Sequence, residues 1–347
     1  MKFIHTGDIH FGCKLKSEYS ESITKLLYEN QKKVFEEILN FTKSGNCDFL
    51  LISGDLFDSE NPDLSIYNFV YDKLEAVKIP VYIAPGNHDP YTPPSCYKKY
   101  GMPSNVHIFK GEPEIIETEN YDIYGCAFTA SHTNRSMLEN FRVKNPHKKS
   151  VMVMHGEIKA DSFYNPVSPK QIEESGLSYL ALGHIHLPSD GIAGNTCYAF
   201  CGTPQPMSFK DGQKGYINIV TFENRLKIEK AETSIHEFTS ICTDVTMLKN
   251  EETIANMAGN PEKGTLLDLT LTGELSDAVS LEKLKKILTE RFLYVNINVA
   301  CKNSSDISLI KNENSLRGEF VRVALDKLKD YDSDFVKQVI NEGLSRL

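Results

Sequence analysis

Five times along this chain a short apolar run stops at a cluster of Asp, Asn or His, and that recurrence constrains the fold more than any other feature. Phe3–Thr6 leads into Asp8-Ile9-His10, Phe49–Ser53 into Gly54-Asp55-Leu56-Phe57-Asp58, and Val81–Ala84 into Gly86-Asn87-His88-Asp89. Val151–Met154 leads into His155-Gly156, and Tyr179–Leu182 into Gly183-His184-Ile185-His186. Brief apolar runs closed by polar residues are what strands buried on both faces look like. In open α/β sheets, ligand sites gather beyond the carboxyl ends of such strands, where loops converge. Between the runs, Ile23, Leu26, Leu27, Val34, Ile38 and Leu39 recur at helical spacing. A second helix is expected to open with Asn61 as cap and Pro62 in its first turn, with Tyr67, Val70, Leu74 and Val77 on one face. Tyr121–Phe128, Gly215–Phe222 and Arg225–Lys230 read as hairpin-connected, antiparallel strands. The expected class is α/β, with mixed sheets flanked by helices.

The pattern changes after about Ser234. Leu267, Leu269 and Leu271 alternate with polar residues, Leu281, Leu284, Ile287 and Leu288 form a helical stripe, and Val295, Ile297 and Val299 alternate with asparagines. This is a small strand-helix-strand unit, and Leu316–Leu347 reads as two further helices. A chain of 347 residues is long for one domain. The expected division is therefore 1–233 for a catalytic domain and 234–347 for a small α+β domain with C-terminal helices.

Composition fits a globular protein, with 40% hydrophobic and 24% charged residues. No apolar run approaches the ~18 residues of a membrane span, and with a strand-like start at Met1 no signal peptide is expected. The eight cysteines are scattered, without zinc spacing, so reduced thiols in a cytoplasmic protein are expected. The net charge of −9 is unusual for a nucleic-acid binder. Up to Lys230 there are 24 basic and 28 acidic residues, which leaves 14 and 19 for the remainder. The acidity is spread evenly and no basic tail exists. Bound divalent cations would add positive charge that this count omits. Small basic clusters, Lys14 with Lys16 and Lys98 with Lys99, are candidate nucleic-acid contacts, although such clusters are more often solvated surface.

The five motifs share one chemistry. Hydrolysing a phosphodiester at neutral pH needs an activated water and a hold on developing negative charge, and two divalent ions ~3.5–4 Å apart supply both. Mixed carboxylate, imidazole and amide donors suit manganese or iron. Any one motif alone is weak, because an Asp-x-His occurs by chance and a lone histidine is usually structural. Of ten histidines, five fall inside the motifs (His10, His88, His155, His184, His186), and the joint pattern makes coincidence improbable. His5, His107, His132, His147 and His236 are assigned to structure or surface, with His5 in a packing or supporting place beside the first motif.

Asp8-x-His10, Gly54-Asp55-x-x-Asp58, Gly86-Asn87-His88-Asp89, His155 and Gly183-His184-x-His186 together resemble the calcineurin-like metallophosphoesterase superfamily. Asp8-Ile9-His10-Phe11-Gly12, Ser53-Gly54-Asp55-Leu56-Phe57 and Ala181-Leu182-Gly183-His184-Ile185-His186 resemble its SbcD-like DNA-repair exonucleases. Gly202-Thr203-Pro204-Gln205-Pro206-Met207-Ser208-Phe209 is similar to the YhaO-like branch, and the unit with Leu271-Thr272-Gly273 and Leu316-Arg317-Gly318-Glu319-Phe320 resembles that branch's capping domain.

The resemblance implies two mixed β-sheets packed as a sandwich flanked by helices. It implies Asp8, His10 and His186 on one metal, Asn87, His155 and His184 on a second, and Asp55 as the bridge. His88 would face the phosphate as acid or charge stabiliser, with Asp58 behind it. Several nuclease relatives carry His where Asp58 stands, whereas protein phosphatases of the superfamily carry Asp. Manganese is the expected metal, with iron as the alternative. The implied partners are DNA, an SbcC-like coiled-coil ATPase and a second copy in a homodimer, without a membrane. A dinuclear metal-dependent DNA nuclease acting in repair is the leading expectation. The alternative is a phosphoesterase acting on a small phosphodiester, cyclic nucleotide or phosphoprotein. A catalytically silent scaffold would be expected to lose ligands, and none is lost.

Overall fold

The computed structural model describes all residues except 224, 262, 263, 277, 302–306, 345 and 347. The chain divides into two compact units, one comprising Met1–Thr239 with Gly264–Leu266, the other Ser240–Lys263 with Leu267–Leu347.

In the first unit the chain lays down β1 (Lys2–Thr6), α1 (Glu21–Ser44), β2 (Phe49–Ile52), α2 (Leu64–Val77), β3 (Val81–Ile83), α3 (Cys96–Lys99) and β4 (Val106–Ile108). It continues with β5 (Glu114–Glu117), β6 (Tyr121–Gly125), β7 (Lys149–His155), α4 (Pro169–Ser175), β8 (Tyr179–Gly183), β9 (Ser189–Ala193) and β10 (Thr196–Phe200). A hairpin of β11 (Tyr216–Phe222) and β12 (Leu226–Glu232) follows. One six-stranded sheet has the order β12-β11-β1-β2-β3-β4, the other β5-β6-β7-β8-β10-β9. In the first, β1 to β4 run parallel; in the second, β6, β7, β8 and β10 do.

Strand periodicity sorts the side chains into three apolar layers. Phe3, Phe49, Leu51 and Tyr82 from one sheet meet Ile123, Val151, Val153, Tyr179 and Ala181 from the other, which makes the two sheets a face-to-face sandwich. The intervening residues point the opposite way. Ile4, Leu50, Ile52, Val81 and Ile83 pack with Val34, Ile38, Val70 and Leu74 of α1 and α2. Met152, Met154, Leu180 and Leu182 pack with Ile172 of α4. This explains why β2 and β8 read as unbroken apolar runs, since each strand is buried on both faces.

Three expectations need adjustment. α2 begins at Leu64 with Asp63 as its N-cap, so Asn61 and Pro62 lie ahead of it. The Tyr121 strand is antiparallel to β5 but parallel to β7, and so belongs only half to a hairpin. Ser234, where the second domain is expected to begin, lies in the first unit, which runs on to Thr239.

Further along, β13 (Glu237–Asp244), α5 (Glu251–Met257), β14 (Thr265–Thr272), α6 (Leu281–Arg291) and β15 (Tyr294–Val299) make a three-stranded sheet with two helices. Leu267, Leu269, Leu271, Leu284, Leu288 and Val295 share the second unit's core. Then come α7 (Ile307–Ile310), α8 (Leu316–Lys327) and α9 (Ser333–Leu344), where Val321, Val336 and Ile340 form a separate small cluster. Among the described residues no helix is long and apolar enough to cross a membrane.

Candidate metal centre

The five motifs lie at the carboxyl ends of β1, β2, β3, β7 and β8, all within parallel runs of the two sheets. Beyond β1 and β2 the loops stay zipped together, because the Asp8 amide donates to Gly54 O at 3.0 Å and the His10 amide to Asp55 O at 2.8 Å. Holding side chains there costs backbone freedom. Four of the eight non-glycine residues with positive φ among those described are Asp8, His10, Asp55 and His184. Left-handed backbone at such residues is unfavourable and persists only where the surroundings enforce it, as at functional sites. Glycine makes room beside them: a Cβ on Gly86 would stand 2.2 Å from Asp55 Oδ1.

Hydrogen bonds fix how each ligand candidate points. Nδ1 of His186 is 2.7 Å from Asp211 Oδ1, and Nδ1 of His10 is 3.0 Å from Asp58 Oδ1. With those nitrogens donating to carboxylates, the two Nε2 atoms face each other at 3.2 Å. Two imidazole lone pairs that close repel unless a proton or a cation lies between them. Asp8 joins the same group of candidate ligands. On the other side, His155 Nδ1 donates to Ser53 O at 2.9 Å, so in the neutral ring Nε2 is the acceptor. That nitrogen is 3.0 Å from Asn87 Oδ1 and 3.4 Å from Asp55 Oδ2, and His184 Nδ1 is 3.2 Å from the same Asn87 oxygen. Asp55 Oδ1 accepts the His88 amide at 3.0 Å. Its Oδ2 lies between the two sides, 3.6 Å from His10 Nε2. Carboxylate, amide and imidazole acceptors converging on both sides of Asp55 Oδ2 are a donor set that fits a pair of divalent cations.

Charge around this cluster is arranged accordingly. Burial disfavours the charge on Asp55, yet His155, His10 and His88 hold its carboxyl below the ordinary range. Burial also opposes the His186 imidazolium, but the bond to Asp211 and the nearby Asp8 push its pKa up to about 9. His184 goes the other way, lowered to about 4 by burial and by the neighbouring His155. His88 is the most exposed of the five histidines of the motifs and is raised to about 9, chiefly by its contact with Asp58. Asp58 Oδ1 is 3.4 Å from His88 Nδ1, farther than from His10 Nδ1, so this carboxylate serves two imidazoles. His88 also falls within a candidate ligand group with His10 and Asp55.

Several supporting residues escaped the sequence. Asp211 lies 25 positions beyond His186 in a loop with no periodic signal, and also accepts the amides of Met207 and Ser208. Asp89, fully buried, does more than cap its own turn. It accepts the amides of Gly86, Asp55, Leu56 and Phe57 together with the Tyr97 hydroxyl. Gln31 of α1 donates to Ile9 O at 2.6 Å. His5 bonds Ser53 Oγ at 3.1 Å, one step behind His155, in line with the supporting place expected for it. The lysines stand apart from the centre's hydrogen bonds. Lys14 is exposed; Lys16, Lys98 and Lys99 lie over the rings of Phe209, Tyr91 and Tyr100 at 4.9, 5.7 and 4.9 Å.

Residues 1–188 match the family described as calcineurin-like phosphoesterase. Among curated proteins, the chain is 25% identical over 280 residues to the uncharacterized metallophosphoesterase YhaO of Bacillus subtilis (strain 168), covering 74% of this chain and 66% of that protein. It is 23% identical over 371 residues to the DNA double-strand break repair protein Mre11 of Methanococcus maripaludis, covering 97% of this chain and 93% of the relative. With the SbcD component of the SbcCD nuclease of Bacillus subtilis (strain 168) it shares 24% over 277 residues, 67% of this chain and 68% of the other. The chain therefore belongs to the calcineurin-like phosphoesterases and is an enzyme that hydrolyses phosphodiesters.

Proposed function

We propose that this enzyme is a dinuclear metal-dependent DNA nuclease of DNA repair. The observation that carries the chemistry is the convergence of acceptor atoms on both sides of Asp55 Oδ2, with Asp8, His10 and His186 on one side and Asn87, His155 and His184 on the other. Divalent cations in such a site supply an activated water and neutralise phosphate charge. An all-nitrogen-and-oxygen donor set suits manganese, with iron as the alternative. Asp58 and Asp211 orient the two imidazoles of the first side. His88, cationic at neutral pH, faces the open side of the centre, where it stabilises negative charge on phosphate or protonates the departing sugar oxygen.

The DNA substrate is supported by likeness to Mre11 along 97% of the chain, second unit included. On that reading the second unit, Ser240–Lys263 with Leu267–Leu347, forms the body that positions DNA. Lys14, Lys16, Lys98 and Lys99 are candidate phosphate contacts, and a coiled-coil ATPase of the SbcC kind and a second copy of this chain are the partners. A cytoplasmic location follows from the same reading. The alternative is hydrolysis of a small phosphodiester, cyclic nucleotide or phosphoprotein; the likeness to the uncharacterized metallophosphoesterase YhaO carries no DNA substrate with it.

Turnover of linear duplex, single-stranded DNA and a small chromogenic phosphodiester, side by side with added manganese and after chelation, decides between them. Chelator-sensitive degradation of DNA is the expected result. Hydrolysis of the small ester alone would favour the alternative, and full activity in metal-free protein would overturn the proposal.

A further inference from the structure

His155 is steadied unevenly by its sheet. It is the last residue of β7 and pairs with Gly183 of β8, whereas the register with β6 stops at Val153. The bond from its ring to Ser53 O sets how the imidazole turns, but not where the main chain that carries it stands. A side chain supplies the hold that β6 does not. Asn165, fully buried, donates from Nδ2 to His155 O at 2.7 Å. Its Oδ1 accepts the Met137 amide at 2.8 Å. A carboxamide turned the other way would set donor against donor and acceptor against acceptor, so both contacts fix one orientation.

The main chain at Asn165 is shaped for this contact. Its φ is +53°, in the left-handed region, which Asn accepts more readily than most residues. Asn side chains commonly bond the backbone of their own turn; here the two partners lie 10 and 28 positions away. The surrounding peptides are clamped as well, with the Asn165 amide donating to Thr133 O at 2.9 Å and the Thr133 amide to Phe163 O at 2.8 Å. Gly156 makes the approach possible, since a Cβ there would stand 2.7 Å from both Nδ2 and the carbonyl oxygen of Asn165. A second path runs through the neighbouring residue. The Tyr164 ring lies 4.7 Å from the His184 ring at 32°, so the loop that Asn165 pins also packs on the other imidazole of that side.

We propose that Asn165 is a positioning residue for the side of the centre formed by Asn87, His155 and His184; this rests on the dinuclear reading above. Both bonds of its side chain go to main-chain groups, so it acts through the backbone of His155 and through Tyr164. Loss of the carboxamide therefore weakens one of two bound cations and leaves the other, on the side of Asp8, His10 and His186, nearly as before.

The test is manganese titration of the full chain by calorimetry for wild type, Asn165→Gly and Asn165→Ala, with the electron paramagnetic resonance spectrum of each loaded protein read alongside. Wild type is expected to take up two ions and to show the spectrum of a spin-coupled pair. Both variants lack the carboxamide, but only glycine adopts the left-handed φ freely, so Asn165→Ala should unfold at lower urea than Asn165→Gly. Metal binding should ignore that difference. In each variant one ion should bind on the order of tenfold more weakly, and the coupled spectrum should fade at manganese levels that still fill the other site. Should Asn165→Ala fail to fold, the one-ion loss is read in Asn165→Gly, which keeps the backbone conformation. Weakening that tracks the urea midpoint, or that falls on both ions alike, would reduce Asn165 to a role in the fold and overturn the proposal. Two ions bound by both variants as tightly as by wild type would overturn it too. Fewer than two ions in wild type would instead sink the dinuclear reading itself, so the two failures are told apart.

Discussion

Two carboxylates govern how the facing imidazoles present themselves: Asp211 behind His186 and Asp58 behind His10. Partners of this kind, one bond away from a metal ligand, typically contribute 10–100-fold in metal affinity. Asp211→Asn is therefore expected to weaken manganese binding by about that factor, read by metal titration of folded protein. Unchanged affinity would reduce Asp211 to a clamp on the Met207 and Ser208 amides. His88→Gln should keep its metals and lose about 10²–10⁴-fold in turnover. If that variant instead loses an ion, His88 is a ligand, as its closeness to His10 and Asp55 allows. Asp58→Asn touches both imidazoles, so part of its loss should appear as metal affinity. The candidate ligands were legible in the sequence because each sits within a few residues of a strand end. Asp211 and Asp89 were not. Asp211 reaches His186 only through the fold, and Asp89 stood in plain view but its four amide partners belong to two different loops.

Among elements, the strands buried on both faces were readable to within two residues, since the centre of each is an unbroken apolar run held between two cores. β9 was missed because it is an exposed edge whose residues Ser189, Asp190 and Gly191 carry no apolar alternation. The motif Gly202–Phe209 acquires a physical role in the connection after β12. Gln205 donates to His236 O at 3.1 Å, and the His236 ring bridges Pro206 O at 2.9 Å and Asn30 of α1 at 3.2 Å. With its Nε2–H given to Pro206, the ring accepts at Nδ1 from the Asn30 amide, and a second proton would set donor against donor. Burial lowers the His236 pKa from 6.5 to about 4. Between those values the unfolded chain binds a proton that the folded chain refuses, so stability falls as pH drops through this window, by up to ~1.4 kcal/mol per pH unit. Urea unfolding at pH 7, 6 and 5 should show that fall, and His236→Gln should flatten it. Equal slopes in both proteins would assign the acid sensitivity elsewhere, with the buried His5, lowered to about 3, as the next group to examine.

For the molecule as a whole, a net charge of −9 concealed the function. Asp8, Asp55, Asp58 and Asp211 all count toward that total, yet they stand where divalent cations would offset them. Formal charge is thus a poor guide to substrate when the positive half of a site is supplied from solution. The division into units has a different outcome. Each unit owns its apolar clusters, the sandwich layers in one and the Leu267–Val295 and Val321–Ile340 groups in the other. Two-state behaviour is not the rule for such chains. A calorimetric scan should resolve two heat-absorption peaks, and manganese should raise only the one belonging to the unit that binds it, by mass action. A single peak displaced as a whole by manganese would show that the units melt together. Where two peaks appear, the one blind to manganese is an internal thermometer within the same polypeptide, against which every ligand of the other unit can be ranked.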